Sequence, residues 1–306
     1  MPTNTDLIKQ LATIKKSNDV RLPADDARAF MTDAVGSSSF LSKLVPHFAM
    51  SATGQLDELG VKSRQIREHL GTATTPGSRD SKNERGIPFA LTAVYWDEWI
   101  SNSNVVYTAQ MRGQNVRQAL LALIQQQFGA DIQDLALNGD VDSVDEFLGI
   151  KDGFLKKAEA TAVNKKVDFA AIPTVTDLTQ FTKNYEDKYV SMDFKFIMNR
   201  ATYLDLVSAV QARETQVGDV AFVNGRLDAI AGYGIEVVEH MPSNVILHTP
   251  LANLKPVFGY DVQLKSVGDD SAAIAKDATY HFMLSSVDFV ILQPKALGYI
   301  EYTVTP

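Results

Sequence analysis

The chain has no cysteine among its 306 residues. That excludes disulfide staples, cysteine-ligated zinc and thiol catalysis, and it gives no sign of an oxidising compartment. Asn-x-Ser/Thr acceptors are missing too. No apolar run reaches the ~18 residues that a bilayer span needs, and Met1-Pro2-Thr3-Asn4-Thr5-Asp6 lacks the positive start and apolar stretch of a signal peptide. The expectation is a soluble protein made inside the cell. Positive charge is in deficit: 29 Lys plus Arg against 37 Asp plus Glu give a net charge of -8, which argues against strong sequence-independent binding to nucleic-acid phosphates. Catalytic motifs are lacking as well, with no Gly-x-x-x-x-Gly-Lys, His-Glu-x-x-His, Gly-x-Ser-x-Gly or Gly-x-Gly-x-x-Gly. Gly232-Tyr233-Gly234 is only a fragment of the last and precedes a strand-like run, whereas phosphate binding needs a helix N-terminus.

What is present is enough apolar chain, 45% of residues, for one large or two smaller domains. From Met111 to Asp140 the spacing predicts one long helix. Val116, Leu120, Leu123, Ile124, Phe128, Ile132 and Leu135 fall on one stripe, the opposite face is polar, and the length is roughly 35 to 40 Å. Asn115 with Gln118 reads as its N-terminal cap. Asn138-Gly139-Asp140 reads as its stop, with Gly139 expected in the left-handed region that closes many helices.

Upstream, Leu7, Ile8, Leu11 and Ile14 suggest a short amphipathic helix, and Ala27, Phe30, Met31 and Ala34 the buried side of a second one ending at Gly36. Leu56 to Arg67 reads as a strand, and alternation from Phe89 to Trp96 as another. Gly71 to Gly86 between them has no large apolar residue and is expected to lack fixed structure in an isolated subunit. Later, 176–187 and Ala201–Ala212 look helical, Phe194, Phe196 and Met198 alternate as a strand, and from Gly234 the pattern turns to strands. Those runs are 235–238, 245–247, 257–264, 280–284, 289–292 and 299–304. The fold class is α+β.

Several strings in order resemble the major capsid proteins of tailed bacteriophages, the HK97-fold family. They are Gly113-Gln114-Asn115-Val116 with Asp131 through Asp140, then Phe147-Leu148 and Asp152-Gly153-Phe154-Leu155. Asp25 to Phe30 and Ser51 to Asp57 lie upstream, and Met198 to Tyr203, Tyr233 to Val237 and Thr249 to Leu254 downstream. The resemblance implies an N-terminal arm and lead-in helix over 1–45 and an extended hairpin loop with flanking strands over 46–104. A peripheral domain would occupy 105–190 with its spine helix at 112–137, an axial domain 191–265, and strands returning to the peripheral domain 266–306. It assigns the hairpin to contacts across a subunit boundary, through Arg79, Asp80, Lys82, Glu84 and Arg85. Its functional implication is a non-enzymatic shell of pentamers and hexamers, icosahedral, enclosing double-stranded DNA without sequence-specific binding. The protein would be assembled in the host cytoplasm and reside in the virion. A portal and a decoration protein are candidate partners, and because 1–45 is short for a fused scaffold, a separate scaffolding protein or none is implied. The alternatives are an encapsulin-like nanocompartment shell with the same fold, or an enzyme with an unrecognised site.

No cofactor and no metal ligand are assigned. His47, His69, His240, His248 and His281 are scattered, although His240 and His248 flank Met241-Pro242 at a spacing that a shared metal would permit. Asp131 with Asp134, or Asp140 with Asp142 and Asp145, read as solvated or capping acids rather than a calcium site. Lys156-Lys157 and Lys165-Lys166 read as exposed faces.

Overall fold

The computed structural model describes residues 18–21, 24–61, 82–102, 116–169, 171–191, 193–211, 222–223 and 226–303. The first of two six-stranded sheets is built on β15 (Ala278–Ile291). On one side β15 pairs with β5 (Thr92–Ser101); on the other lie, end to end, β13 (Leu254–Gly259) and β14 (Gln263–Val267). Short strands β1 (Asn18–Arg21) and β2 (His47–Ala49) add to β14 and β13. Thr279, His281, Met283, Ser285 and Val287 turn inward while Tyr280, Phe282, Leu284 and Ser286 stay half-buried, the period-two pattern of a sheet with one covered face. The sequence suggests two runs, 280–284 and 289–292, broken over 285–288. Instead Ser285 is buried near Met31 and its backbone stays paired to Val94, so the strand continues.

Over the inner face lie α1 (Ala24–Gly36) and the long α2 (Val116–Asn138). In α1, Ala27, Phe30, Met31 and Ala34 are buried as the spacing predicts. α2 is 23 residues long, about 35 Å at the α-helical rise. Ile124, Phe128, Ile132 and Leu135 are buried, whereas the side chains of Val116, Leu120 and Leu123, and Asn115 entirely, lie outside what is described. The expected polar back face fails toward the C-terminus, where Gln133, Ala136 and Leu137 are also buried. Gln133 is accommodated because its Oε1 accepts from the Phe40 N–H at 2.9 Å. Gly129 lets the helices meet: a Cβ there would stand 2.2 Å from the Ala34 carbonyl oxygen.

The second sheet runs β10 (Ala229–Ile230), β11 (Tyr233–Val237), β7 (Phe194–Met198), β12 (Val245–Pro250), β16 (Gly298–Tyr302) and β6 (Asn164–Phe169). Phe194, Phe196 and Met198 face a second core beside α4 (Val175–Phe181) and α5 (Arg200–Gln211), while Ile197, Leu247 and Tyr299 face the first core. This sheet is therefore apolar on both sides. Its membership departs from the expected boundaries. Residues 164–189 join the second unit, 254–267 the first sheet, and β16 inserts between β12 and β6, where its apolar residues are covered on both faces. Two helices escaped the sequence reading: α3 (Phe154–Thr161) and α6 (Ser271–Lys276), the latter started by Asp270 accepting from the Ala273 N–H at 2.7 Å. The helix expected over 176–187 stops at Phe181 and goes on as two short 3₁₀ turns.

Candidate assembly interface

Apart from both sheets stands a two-stranded ladder, β3 (Thr53–Val61) with β4 (Lys82–Ala90), nine residue pairs from Thr53↔Ala90 to Val61↔Lys82. At its base, Ile87, Phe89 and Leu56 join Ala49, Val257, Val290, Leu91 and Leu292. Gly54 gives the Phe89 ring room, since a Cβ there would lie 2.6 Å from it. At Leu91 the inward phase changes from the odd residues Ile87 and Phe89 to the even residue Val94, so β4 and β5 are separate strands and not the single one that the alternation suggests.

Three of the five charged residues assigned to subunit contacts lie on β4, with Lys82, Glu84 and Arg85 opposite Val61, Leu59 and Glu58. Arg79 and Asp80 lie outside the described residues. The expectation that 71–86 lacks fixed structure is corrected for 82–86, which belong to the ladder. A hairpin satisfies its backbone groups whatever its side chains, so the polar composition did not forbid a strand; 71–81 are not described.

A charged knot joins the hairpin base to the body. Asp288 on β15 is 3% exposed. Its carboxylate accepts from Lys157 Nζ at 2.9 Å, from the Ala90 N–H at 2.8 Å and from its neighbour's N–H, Phe289, at 2.8 Å, and it pairs with Lys151 Nζ at 3.5 Å. Lys151 Nζ donates to the Ala90 carbonyl at 2.8 Å, and Lys157 Nζ also donates to the Phe289 carbonyl. Four partners satisfy a charge that would be untenable alone at this depth. Sequence reading set Lys156-Lys157 aside as an exposed face. Lys157 is bound to a buried acid, and Lys156 pairs with Asp140 at 2.9 Å and Asp142 at 3.4 Å.

The helix stop is a joint. Asn138 Nδ2 donates to Asp134 Oδ1 and to the His240 carbonyl, both at 2.6 Å. The Gly139 N–H donates to the Leu135 carbonyl at 3.0 Å, and its own carbonyl accepts from the Gly153 N–H at 2.8 Å. Gly139 is not left-handed, contrary to the expectation. It is needed because a Cβ would stand 2.0 Å from the Lys151 carbonyl oxygen. Gly153, at the N-cap of α3, would place a Cβ 2.8 Å from three carbonyl oxygens of the last turn of α2, so the negative end of one helix meets the positive end of the next. Asp140 donates its N–H to the Leu148 carbonyl, and Lys156 and the Asp142 N–H hold its carboxyl below the usual carboxylate range.

The histidines flanking Met241-Pro242 have different surroundings. His240 lies near Asp134 with φ 66°, whereas His248 is buried, its Nδ1 2.9 Å from the Tyr185 hydroxyl and its ring stacked on Phe196. Burial pushes His248 down to about 3, and among the described residues Nε2 has no hydrogen-bond partner. Asp131 accepts from Gln127 at 2.9 Å, and burial raises its carboxyl. Among the described residues no three His, Cys, Asp or Glu gather as a metal site. No helix there is long and apolar enough to cross a membrane.

Residues 107–302 match the sequence profile of the phage capsid family. A curated relative, the putative prophage capsid protein YqbE of Bacillus subtilis (strain 168), is 25% identical over 198 residues, which are 62% of this chain. The chain spans about 60% of the length of that relative. Among solved structures, the satellite phage P4 procapsid including the size determination (Sid) protein aligns with a TM-score of 0.69 and 19% identity, over 100% of this chain and 99% of that one. The structure titled Microbacterium phage Oxtober96 aligns at 0.55 and 15% identity, over 87% and 91%. The likeness shows an HK97-like fold.

Proposed function

The chain belongs to the phage capsid family and is by that membership a structural capsid protein, and from this premise we propose that many copies close into an icosahedral shell around double-stranded DNA. The observation that carries the reading is the hairpin. A two-stranded ladder that belongs to neither large sheet is marginally stable in water, so a neighbouring subunit is its natural cover. The spine, α3 and the first sheet serve as the peripheral domain, and the second sheet with α4 and α5 as the axial domain at the centre of pentamers and hexamers. The net charge of -8 suits a wall that packed DNA must not stick to. The virion is its place of residence, with assembly in the host cytoplasm; scaffolding, portal and decoration proteins are its partners, and catalysis is not part of the role. Size-exclusion chromatography with light scattering and negative-stain microscopy tests this. Capsomers or megadalton particles are expected. A compact monomer under every assembly condition, with a defined turnover activity, overturns it.

A further inference from the structure

At the root of the hairpin, where the Leu91 N–H also donates to the Ala52 carbonyl at 2.7 Å, both polar groups of Ala90 are gripped by side chains of the body. Its N–H is held by Asp288 at 2.8 Å and its carbonyl by Lys151 at 2.8 Å, while Asp288 and Lys151 face each other at 3.5 Å. Asp288 comes from the central strand of the first sheet and Lys151 from the joint at the end of the spine, so one residue of the hairpin root is tied to two rigid elements. Below the root lies an open cleft of ≈ 320 Å³, between Leu56 and Ile87 of the hairpin and Pro250, Ala252 and Leu292 of the body. The root is thus held at Ala90, while Leu56 and Ile87 both pack in the base cluster and border the open cleft.

We propose that Asp288 and Lys151 are positioning residues that set the angle at which β3–β4 leaves the body, with the cleft as the space through which the hairpin swings when their grip on Ala90 is released. This rests on the reading of the hairpin as an assembly element. A residue that only stabilised the core would leave the hairpin's direction unchanged in any variant that still folds. One that sets direction alters it without unfolding the rest.

Because the chain has no cysteine, Glu58→Cys on the hairpin and Ile274→Cys on α6 can carry a clean pair of spin labels in the full-length, unassembled subunit. Lys151→Met removes the hold on the Ala90 carbonyl and leaves the Asp288–Lys157 pair in place. The label–label distance distribution is expected to become about twofold broader, and the Ala90 amide to exchange about tenfold faster, with the amides of β7 unchanged. Asp288→Asn should do the same more strongly. If it fails to fold, Lys151→Met decides alone. An unchanged distance distribution in Lys151→Met overturns the proposal, and so does global unfolding of that variant, which would make the contact structural. Failure of the parent protein to form shells would sink the functional reading yet leave this distance measurement standing.

Discussion

A Cβ on Gly139 would sit 2.0 Å from the Lys151 carbonyl oxygen and 2.7 Å from that of Leu135, both backbone atoms that cannot swing aside. Gly139→Ala is therefore expected to cost about 1–3 kcal/mol through forced displacement of the α2–α3 joint. Gly139→Asn should be no better. At a left-handed helix stop Asn is tolerated, so urea titration of both variants separates the two explanations, and near-parental stability of the Asn variant would revive the left-handed one. His248 makes a second residue-scale prediction. Its ordinary value is 6.5, and burial beside Phe194, Phe196, Tyr185 and Tyr233 pushes it down to about 3. Between those values the unfolded chain takes up a proton that the folded one refuses. The neutral ring's contribution is therefore complete above the higher value and is lost as pH falls toward the lower, at about 1.4 kcal/mol per pH unit. His281, pushed down to about 4 by burial, acts in the same direction. His248→Phe removes the unpartnered Nε2 and should flatten the fall in unfolding free energy between pH 7 and pH 4. An equally steep fall in this variant would assign the acid sensitivity to other groups.

Elements were legible wherever their signal was local. The α1 stripe, the buried residues of α2 from Ile124 to Leu135, and the alternation in β7 follow from spacings within one segment. The Asp288 knot was not, because Ala90 and Lys157 stand 198 and 131 positions away and nothing near Asp288 marks it as buried. Gln133 shows the same limit inside a correctly placed helix. Read as polar, it belonged on the outer face, but the Phe40 N–H that it satisfies comes from 93 residues upstream. Three substitutions in α2 test this accounting. Ile124→Ala should cost about 2–5 kcal/mol as a buried deletion. Gln133→Ala should cost about 1–3 kcal/mol by stranding that N–H. Gln125→Ala, at a half-buried position where the backbone carbonyl and not the side chain is used by Ser37, should change little. Denaturant midpoints that rank Gln125 with Gln133 would show that polarity alone, without the long-range bond, decides this face.

For the whole molecule, the arrangement divides stability from assembly. The two cores share the second sheet, with Ile197 and Leu247 on one side and Phe196 and Ile246 on the other, so the units built on them should unfold together. The hairpin ladder belongs to neither sheet and is joined to the body at its base by Leu56, Ile87 and Phe89. Asp57 and Gly86 are opposite each other in register, so replacing 58–85 by Asn-Gly closes the ladder with a tight turn and keeps Leu56, Ile87 and Phe89 in place. If shell contacts run through the removed part, the unassembled variant should melt within about 2 °C of the parent, because the base residues Leu56, Ile87 and Phe89 are kept. Its yield of particles by sedimentation should meanwhile fall to background. In the parent, raising salt from 0.05 to 0.5 M should weaken particle formation, since exposed ion pairs at a subunit boundary contribute at most about 1 kcal/mol each and are screened within a Debye length. A shell held by many such weak contacts lets misplaced subunits leave and rebind, which is what error-free closure requires. A truncated chain that melts far earlier would place the outer hairpin within the fold, and one that assembles as well as the parent would deny it any part in the shell.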